Sequence, residues 1–463
     1  MNQNNISTTE LFQRVRELLT LPELEPKTRN KMMHDTLILC CHEGVKDTKQ
    51  AFGNLFSQVD YLCKAHGIKV ADKIAIQTMR RHSNSQEPLS SEDLKYDARA
   101  LAIFISAVFG VDVPHELNVL IPHTNRPYQK GLEINNRRIR CIVKNWDSDF
   151  IRVDIDQDAD EEEYLVQLKD EENHIDHTYL WDILKEGMQL NLLDCQVKQP
   201  IITPRLIVVE PDYLVDISSI ATCFTAFGHH PLLYLLNQMK PRANTQATLL
   251  GNFAGAALDD IINTNGKYQM NETIKTNFRE KALEFCTCPW FDAKKFYTDA
   301  NQQAFNLQQV VDILFPRTAS QAQMSAFRGE SLYDRKKAIL EPSFVCEALG
   351  IQGRVDLMTT DCKLLVEQKS GRNMNIETHQ VDPGYHSYQL EPHYVQLLLY
   401  YGVLQHNFKL SNDRVNIRLL YSKYQPQDGL MVVAYYHKLF QEAITYRNQL
   451  VAASFEIAKE GFE

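Results

Sequence analysis

No run of about eighteen apolar residues occurs in this chain, so no membrane-spanning helix is expected. Its first residues, Met-Asn-Gln-Asn-Asn, have neither the basic segment nor the apolar core of a signal peptide, and a cytoplasmic location is the expectation. Gly-x-x-x-x-Gly-Lys-Ser/Thr is missing too. Gly266-Lys267 lacks both the earlier glycine and the following hydroxyl, so no ATP site is expected here. Cysteine is absent after Cys362, and the ten cysteines are scattered over 463 residues. Such spacing reads as reduced intracellular thiols rather than a disulfide framework. Cys286-Thr-Cys288 has no second pair with which to build a zinc site. Basic excess is also lacking, since 49 Lys and Arg face 59 Asp and Glu for a net charge of -10. A broad positive face for nucleic acid is therefore not expected, although a local cleft can still be positive. The acid is concentrated in Asp154, Asp156, Asp158, Asp160, Glu161, Glu162 and Glu163. That block lacks the central Gly and final Glu of an EF-hand and reads as a solvated loop or strand edge.

What is present is concentrated near residue 360. Asp356 is followed by a polar turn at Thr360-Asp361, the apolar run Leu364-Leu365-Val366, and Glu367-Gln368-Lys369. Two antiparallel strands about that turn bring Asp356 close to Glu367. Side chains alternate along a strand, so Glu367 and Lys369 share a face and Gln368 points away. Two carboxylates and an ammonium at one point suit a magnesium ion held against a phosphate, with the Gln368 carbonyl as a further ligand. Lys369 would orient a water or offset developing charge. The plain alternative is a surface hairpin with a Glu367–Lys369 salt bridge. Arg354 precedes the hairpin and Arg372 follows it, both within reach of a phosphate. Lys363, His379, His386 and His393 are further candidates for a positive cleft. Tyr394 to Tyr401 reads as a helix with Gln396 and Tyr400 one turn apart on one face.

Gly251-x-x-x-Gly255-x-x-x-Asp259, Gly353-Arg354-Val355-Asp356, Glu367-x-Lys369 and Gln396-x-x-x-Tyr400, in that order, resemble the PD-(D/E)XK nuclease superfamily. The RecB-type branch is the nearer likeness, and within it the nuclease region of the flap-processing replication helicase-nucleases. Leu349 to Asp356 resembles their approach to the first metal acid, and Leu206 to Cys223 their entry into the nuclease domain. The likeness runs over about residues 204–430 and is specific at the hairpin. It implies Asp356 and Glu367 as metal acids and Lys369 as the catalytic lysine. It also implies Gln396 and Tyr400 as groups that contact DNA near the scissile phosphate; Arg354 and Arg372 are candidate DNA contacts from their place beside the hairpin alone. Asp259, or its neighbour Asp260, corresponds to an extra metal ligand. Where the family carries His, this chain has Gly255, and oxygen ligands alone point to magnesium or manganese. Many relatives hold an iron–sulfur cluster, with Cys223 at the first ligand position. Without a cysteine beyond Cys362 the set cannot be completed within this sequence, and no cluster is expected.

The expected class is α/β, with three regions. Residues 1–125 read as a helical domain, opened by a capping box at Ser7-Thr8-Thr9-Glu10 and continued through Leu37–Cys63 and Ala98–Phe109. Residues 130–203 read as short strands of a small OB-like β-barrel. There Arg137, Arg138, Arg140, Trp146 and Phe150 either stack on a single strand or serve packing alone. Residues 204–463 read as a restriction-endonuclease-like mixed sheet flanked by helices, with a helical insert at about 289–330. The last element, from His437, is a long amphipathic helix.

The function expected is a metal-dependent deoxyribonuclease acting on single-stranded or flapped DNA, with a helicase in cis or in trans as the implied partner and no membrane. Repair, recombination and defence are equally open as pathways. A nuclease-like scaffold that binds DNA or a protein without cutting it, and an RNA nuclease, are the alternatives.

Overall fold

The structure is a computed structural model. It describes residues 7–21, 25–85, 87–126, 136–156, 163–225, 227–241, 244–264, 267–410 and 414–460. Two compact units divide the chain, Met1–Tyr213 with Val451–Glu463, and Leu214–Leu450. The class is mixed α/β, and no helix among the described residues is long and apolar enough to cross a membrane.

The first unit begins with helices α1 (Thr8–Thr20), α2 (Pro26–Val45), α3 (Leu55–Ala65), α4 (Val70–Ser83) and α5 (Ser91–Phe109). Ser7 caps α1 by accepting from the Thr9 N–H. The single helical stretch expected over 37–63 is instead two helices. Asn54, in an extended conformation, caps the second by accepting from the Ser57 N–H at 3.2 Å. Gly110, at φ 65°, ends α5 in the left-handed conformation that costs glycine nothing. Leu11, Met33, Leu37, Val59, Ile76, Leu101 and Phe104 share the buried core.

Strands β1 (Arg138–Trp146), β2 (Phe150–Ile155), β3 (Tyr164–Gln167), β4 (Gln189–Leu193), β5 (Gln196–Lys198), β6 (Ile201–Thr203) and β7 (Leu206–Val209) follow. They form one sheet in the order β5-β6-β3-β2-β1-β4-β7. Among the described residues no pairing joins β5 to β7, so the expected barrel is not a closed one. Of the residues read as a stacking face, Arg140 is engaged by Asp212 at 2.9 and 3.1 Å, and Trp146 packs on the sheet's core. Asp154 accepts from Lys73 at 3.3 Å and Lys144 at 2.5 Å, while Asp156 pairs with Arg80 and Arg81, so these two acids hold elements together. Asp158, Asp160, Glu161 and Glu162 lie outside the described residues.

In the second unit, α6 (Gln246–Asn263) and α7 (Ala293–Leu314) precede strands β8 (Ala338–Leu340), β9 (Ser343–Cys346), β10 (Ile351–Arg354), β11 (Leu357–Thr359) and β12 (Leu364–Lys369). Helix α8 (Glu391–Phe408), β13 (Asn416–Tyr421), β14 (Leu430–Val432) and α9 (His437–Glu460), whose residues from Val451 on belong to the first unit, follow. A mixed five-stranded sheet runs β8-β11-β12-β13-β14, with β12 and β13 parallel and the other neighbours antiparallel. Strand β10 pairs with β9 and with Val215–Asp216 in a separate sheet.

Leu364 and Val366 of β12 point into a core with Leu420 and the helix residues Phe253, Leu258, Ala304, Leu307 and Val311. The expected insert is therefore no appendage, because α7 supplies one wall of this core. On the other side α8 packs against α9 at Gly402. A Cβ there would stand 2.5 Å from Cε2 of Phe440. Gly402→Ala regains about 1 kcal/mol of helix propensity, but overpacking costs about 1–3 kcal/mol. A net loss of stability is expected in urea unfolding, and an unchanged or raised midpoint would contradict this packing.

Candidate functional site

The site sits where β12 ends. Strands β11 and β12 form the hairpin read from the sequence, with Leu357 opposite Val366. Asp356, just ahead of β11, receives the Gln368 N–H on Oδ2 at 2.5 Å. Glu367 is 3 % exposed. Its Oε1 accepts from Lys369 Nζ at 2.8 Å, while Oε2 is buried and makes no hydrogen bond of good geometry. Lys369 also donates to Gln396 Oε1 at 2.8 Å. As strand alternation requires, Gln368 points to the other side, where its Nε2 meets Ser422 Oγ at 2.7 Å.

Gln396 and Tyr400 project from α8, and both are buried. The Tyr400 hydroxyl donates to the Arg354 carbonyl at 2.6 Å. Gly353 leaves room for that ring: a Cβ there would meet Tyr400 Cε1 at 3.0 Å and Ile217 Cδ1 at 3.1 Å. In this structure the pair thus braces the hairpin and the lysine. The two arginines are outside this buried centre. Arg354 pairs with Glu341 at 3.0 Å, Arg372 pairs with Glu377, and both side chains are exposed.

Asp259 of α6 is the other acid of the site. Burial pushes its carboxyl up to about 7, with the charges of Glu341, Asp356 and Asp260 adding and Arg354 opposing. Asp260 is occupied elsewhere, accepting from the Thr273 hydroxyl at 2.5 Å. Burial likewise raises Glu367 to about 7; Asp356 adds to this, and Lys369 and the Asp356 backbone pull back. Asp356 is raised as well, first by burial, against the Gln368 N–H and Lys369. Buried carboxylates that repel one another are poorly compensated as they stand.

One acid was missed in the sequence. Glu341 lies between β8 and β9 at φ 48° and donates its N–H to the Asp356 carbonyl at 2.9 Å. The strand before it, β8, is only three residues long, and the left-handed φ is not one a Glu-Pro pair advertises. Two expected cations do not serve the cleft. Lys363 stands at the opposite end of β12, about 20 Å away at the usual strand rise. Burial and the Lys369 charge bring His393 down to about 4, and its Nδ1 lies 2.9 Å from the Tyr421 hydroxyl, so it is neutral. His379 and His386 both adopt positive φ in the segment between β12 and α8.

Among the described residues, no three His, Cys, Asp or Glu side chains are arranged to hold a metal by themselves. Magnesium asks for less: one or two carboxylates, with waters and substrate oxygens filling the remaining positions. Asp356, Glu367 and the Gln368 carbonyl fit that demand, with Asp259 nearby. The unpartnered Glu367 Oε2 and the raised carboxyls are what a cation would relieve. In comparisons with known proteins, no protein-family model matches the chain and no curated protein matches it significantly.

Proposed function

We propose that this protein is a magnesium- or manganese-dependent deoxyribonuclease of PD-(D/E)XK type, RecB-like, that hydrolyses phosphodiester bonds in single-stranded or flapped DNA. One observation carries the reading: Asp356, Glu367 and Lys369 converge in a buried corner, and Glu367 Oε2 is left without a good partner. Structural salt bridges rarely leave a carboxylate oxygen orphaned, because a buried unpaired charge is costly. The site residues would be Asp356, Glu367 and the Gln368 carbonyl for the metal, with Asp259 beside them. When bound, the ion polarises the phosphate and makes a water more acidic at neutral pH. Lys369 would hold the attacking water or neutralise charge on the phosphate. Gln396 keeps the lysine pointed at the centre. Arg354 and Arg372, exposed and paired with Glu341 and Glu377, would exchange those carboxylates for flanking phosphates.

The preference for single-stranded or flapped DNA and a helicase partner rest on the family resemblance, which also supports the OB-like reading of residues 130–203. A second reading, a scaffold that binds without cutting, draws on Gly255. Position 255 faces open space where the family carries a histidine. End-labelled single-stranded, flapped and duplex DNA, and matched RNA, incubated with magnesium, manganese or EDTA, decide between them. Cleavage that needs a divalent ion is expected, strongest on flapped or single-stranded DNA. Binding without cleavage under either metal would leave the scaffold standing, and cleavage confined to RNA would replace the substrate class.

A further inference from the structure

Behind the Glu367 and Lys369 side chains, three buried polar side chains form a chain of hydrogen bonds, and a fourth joins it at the Ser422 backbone. Gln368 Nε2 donates to Ser422 Oγ at 2.7 Å. Ser422 Oγ donates to Gln303 Oε1 at 2.6 Å. Gln303 Nε2 donates to the Ser370 carbonyl at 3.1 Å, and Asn306 Nδ2 donates to the Ser422 carbonyl at 3.0 Å. The Ser422 N–H closes the figure on the Lys369 carbonyl at 2.9 Å. Exposure is 9 % for Gln368, 2 % for Gln303 and 0 % for both Ser422 and Asn306. Gln303 and Asn306 lie on α7, whose other buried positions, such as Ala300, Ala304, Leu307 and Val311, are apolar.

A core at this place could be filled by apolar side chains at no loss of burial. Buried polar groups are costly unless every one is satisfied, and a satisfied network fixes one geometry. The geometry fixed here is that of the three residues leaving the catalytic strand. Gln368 is held by its side chain, Lys369 by its carbonyl, and Ser370 by its carbonyl. The Gln368 N–H also restrains Asp356 from the front. Helix α7 thus grips the peptide units that carry a candidate metal-binding carbonyl and the lysine.

We propose that Gln303, acting through Ser422 and Gln368, is a positioning residue of the active site. It sets the direction of the Gln368 carbonyl and the reach of Lys369 without touching substrate. This rests on the nuclease reading. Groups that orient metal ligands from behind commonly change metal affinity or turnover by about 10–100-fold when removed. Gln303→Leu keeps the volume and strips the hydrogen bonds.

The test measures manganese binding to the full chain by calorimetry without DNA, together with kcat and KM on a flapped DNA. Three proteins are compared: native, Gln303→Leu, and Leu307→Ala, which opens a cavity in the same helix. The expected result is manganese affinity about tenfold weaker and kcat about 10–100-fold lower for Gln303→Leu, with KM little changed. Leu307→Ala should melt earlier yet bind manganese as the native chain does. Should Gln303→Leu not fold, Ser422→Ala removes the same link with a smaller change, and the same loss is expected. If the native chain binds manganese and cuts DNA but Gln303→Leu and Ser422→Ala match it in affinity and kcat, the network is only structural and the inference is wrong. If the native chain neither binds manganese nor cuts, the nuclease reading and this inference fall together.

Discussion

Lys369→Ala is expected to lower metal-dependent DNA cleavage by about a thousandfold while leaving the protein folded. Removing one electrostatic stabiliser from a preorganised site costs about 10²–10³-fold in turnover. The larger figure applies because Lys369 is the cation bound to Glu367 and Gln396 together. Its loss also strips Glu367 of its counter-charge, so that carboxyl becomes harder to ionise when no metal is present. Glu367→Gln should abolish cleavage by another route, since it removes a ligand and leaves the lysine in place. Manganese affinity separates the two. It should collapse in Glu367→Gln and survive in Lys369→Ala. Full activity in Lys369→Ala would remove the lysine from the mechanism.

The metal-free protein should grow less stable as pH rises from about 4.5 to 8, and a divalent cation should erase that loss. Glu367 carries the sign. Its carboxyl stands at about 7 in the fold against an ordinary 4.5, held there by burial and Asp356. Below the unfolded value both states are protonated, and there is no penalty. Above the folded value both are ionised, and the fold bears the full cost of a buried charge. For this group that cost is on the order of 3 kcal/mol. Asp356 and Asp259 shift in the same direction and add to it. A bound cation favours the ionised forms, so its stabilising effect should be large at pH 8 and small at pH 5. Urea unfolding in EDTA of native protein and Glu367→Gln, at pH 5 and pH 8, isolates the contribution from other titrating groups. The native chain should lose the greater stability across that interval. Parallel losses in the two proteins would mean that Glu367 is already ionised at acid pH.

The hairpin was legible because its signals are local. An apolar run, a polar turn and period-two alternation lie within seventeen residues, and the structure pairs Leu357 with Val366 around that turn. The helix bearing Gln396 was legible for the same reason. Glu341 was not, since it reaches the site only through the pairing of Leu340 with Leu357, a long-range contact without a sequence signature. Gln303 and Asn306 look like ordinary polar positions on an amphipathic helix until the fold buries them. His393 read as a basic residue of the cleft, whereas burial makes it neutral. The barrel was an inference from strand spacing, and spacing cannot say whether edge strands meet.

The parallel pairing of β12 with β13 carries a consequence for synthesis. Lys369 and its register partner Tyr421 are separated by two helices and their connections, so the strand cannot be completed by its neighbours in sequence. Ser422, which fastens the Lys369 carbonyl, comes later still. A ribosome adds about 5–20 residues each second. The hairpin therefore emerges seconds before the strand that flanks it, and the candidate site stays unassembled on the nascent chain until Ser422 has been made.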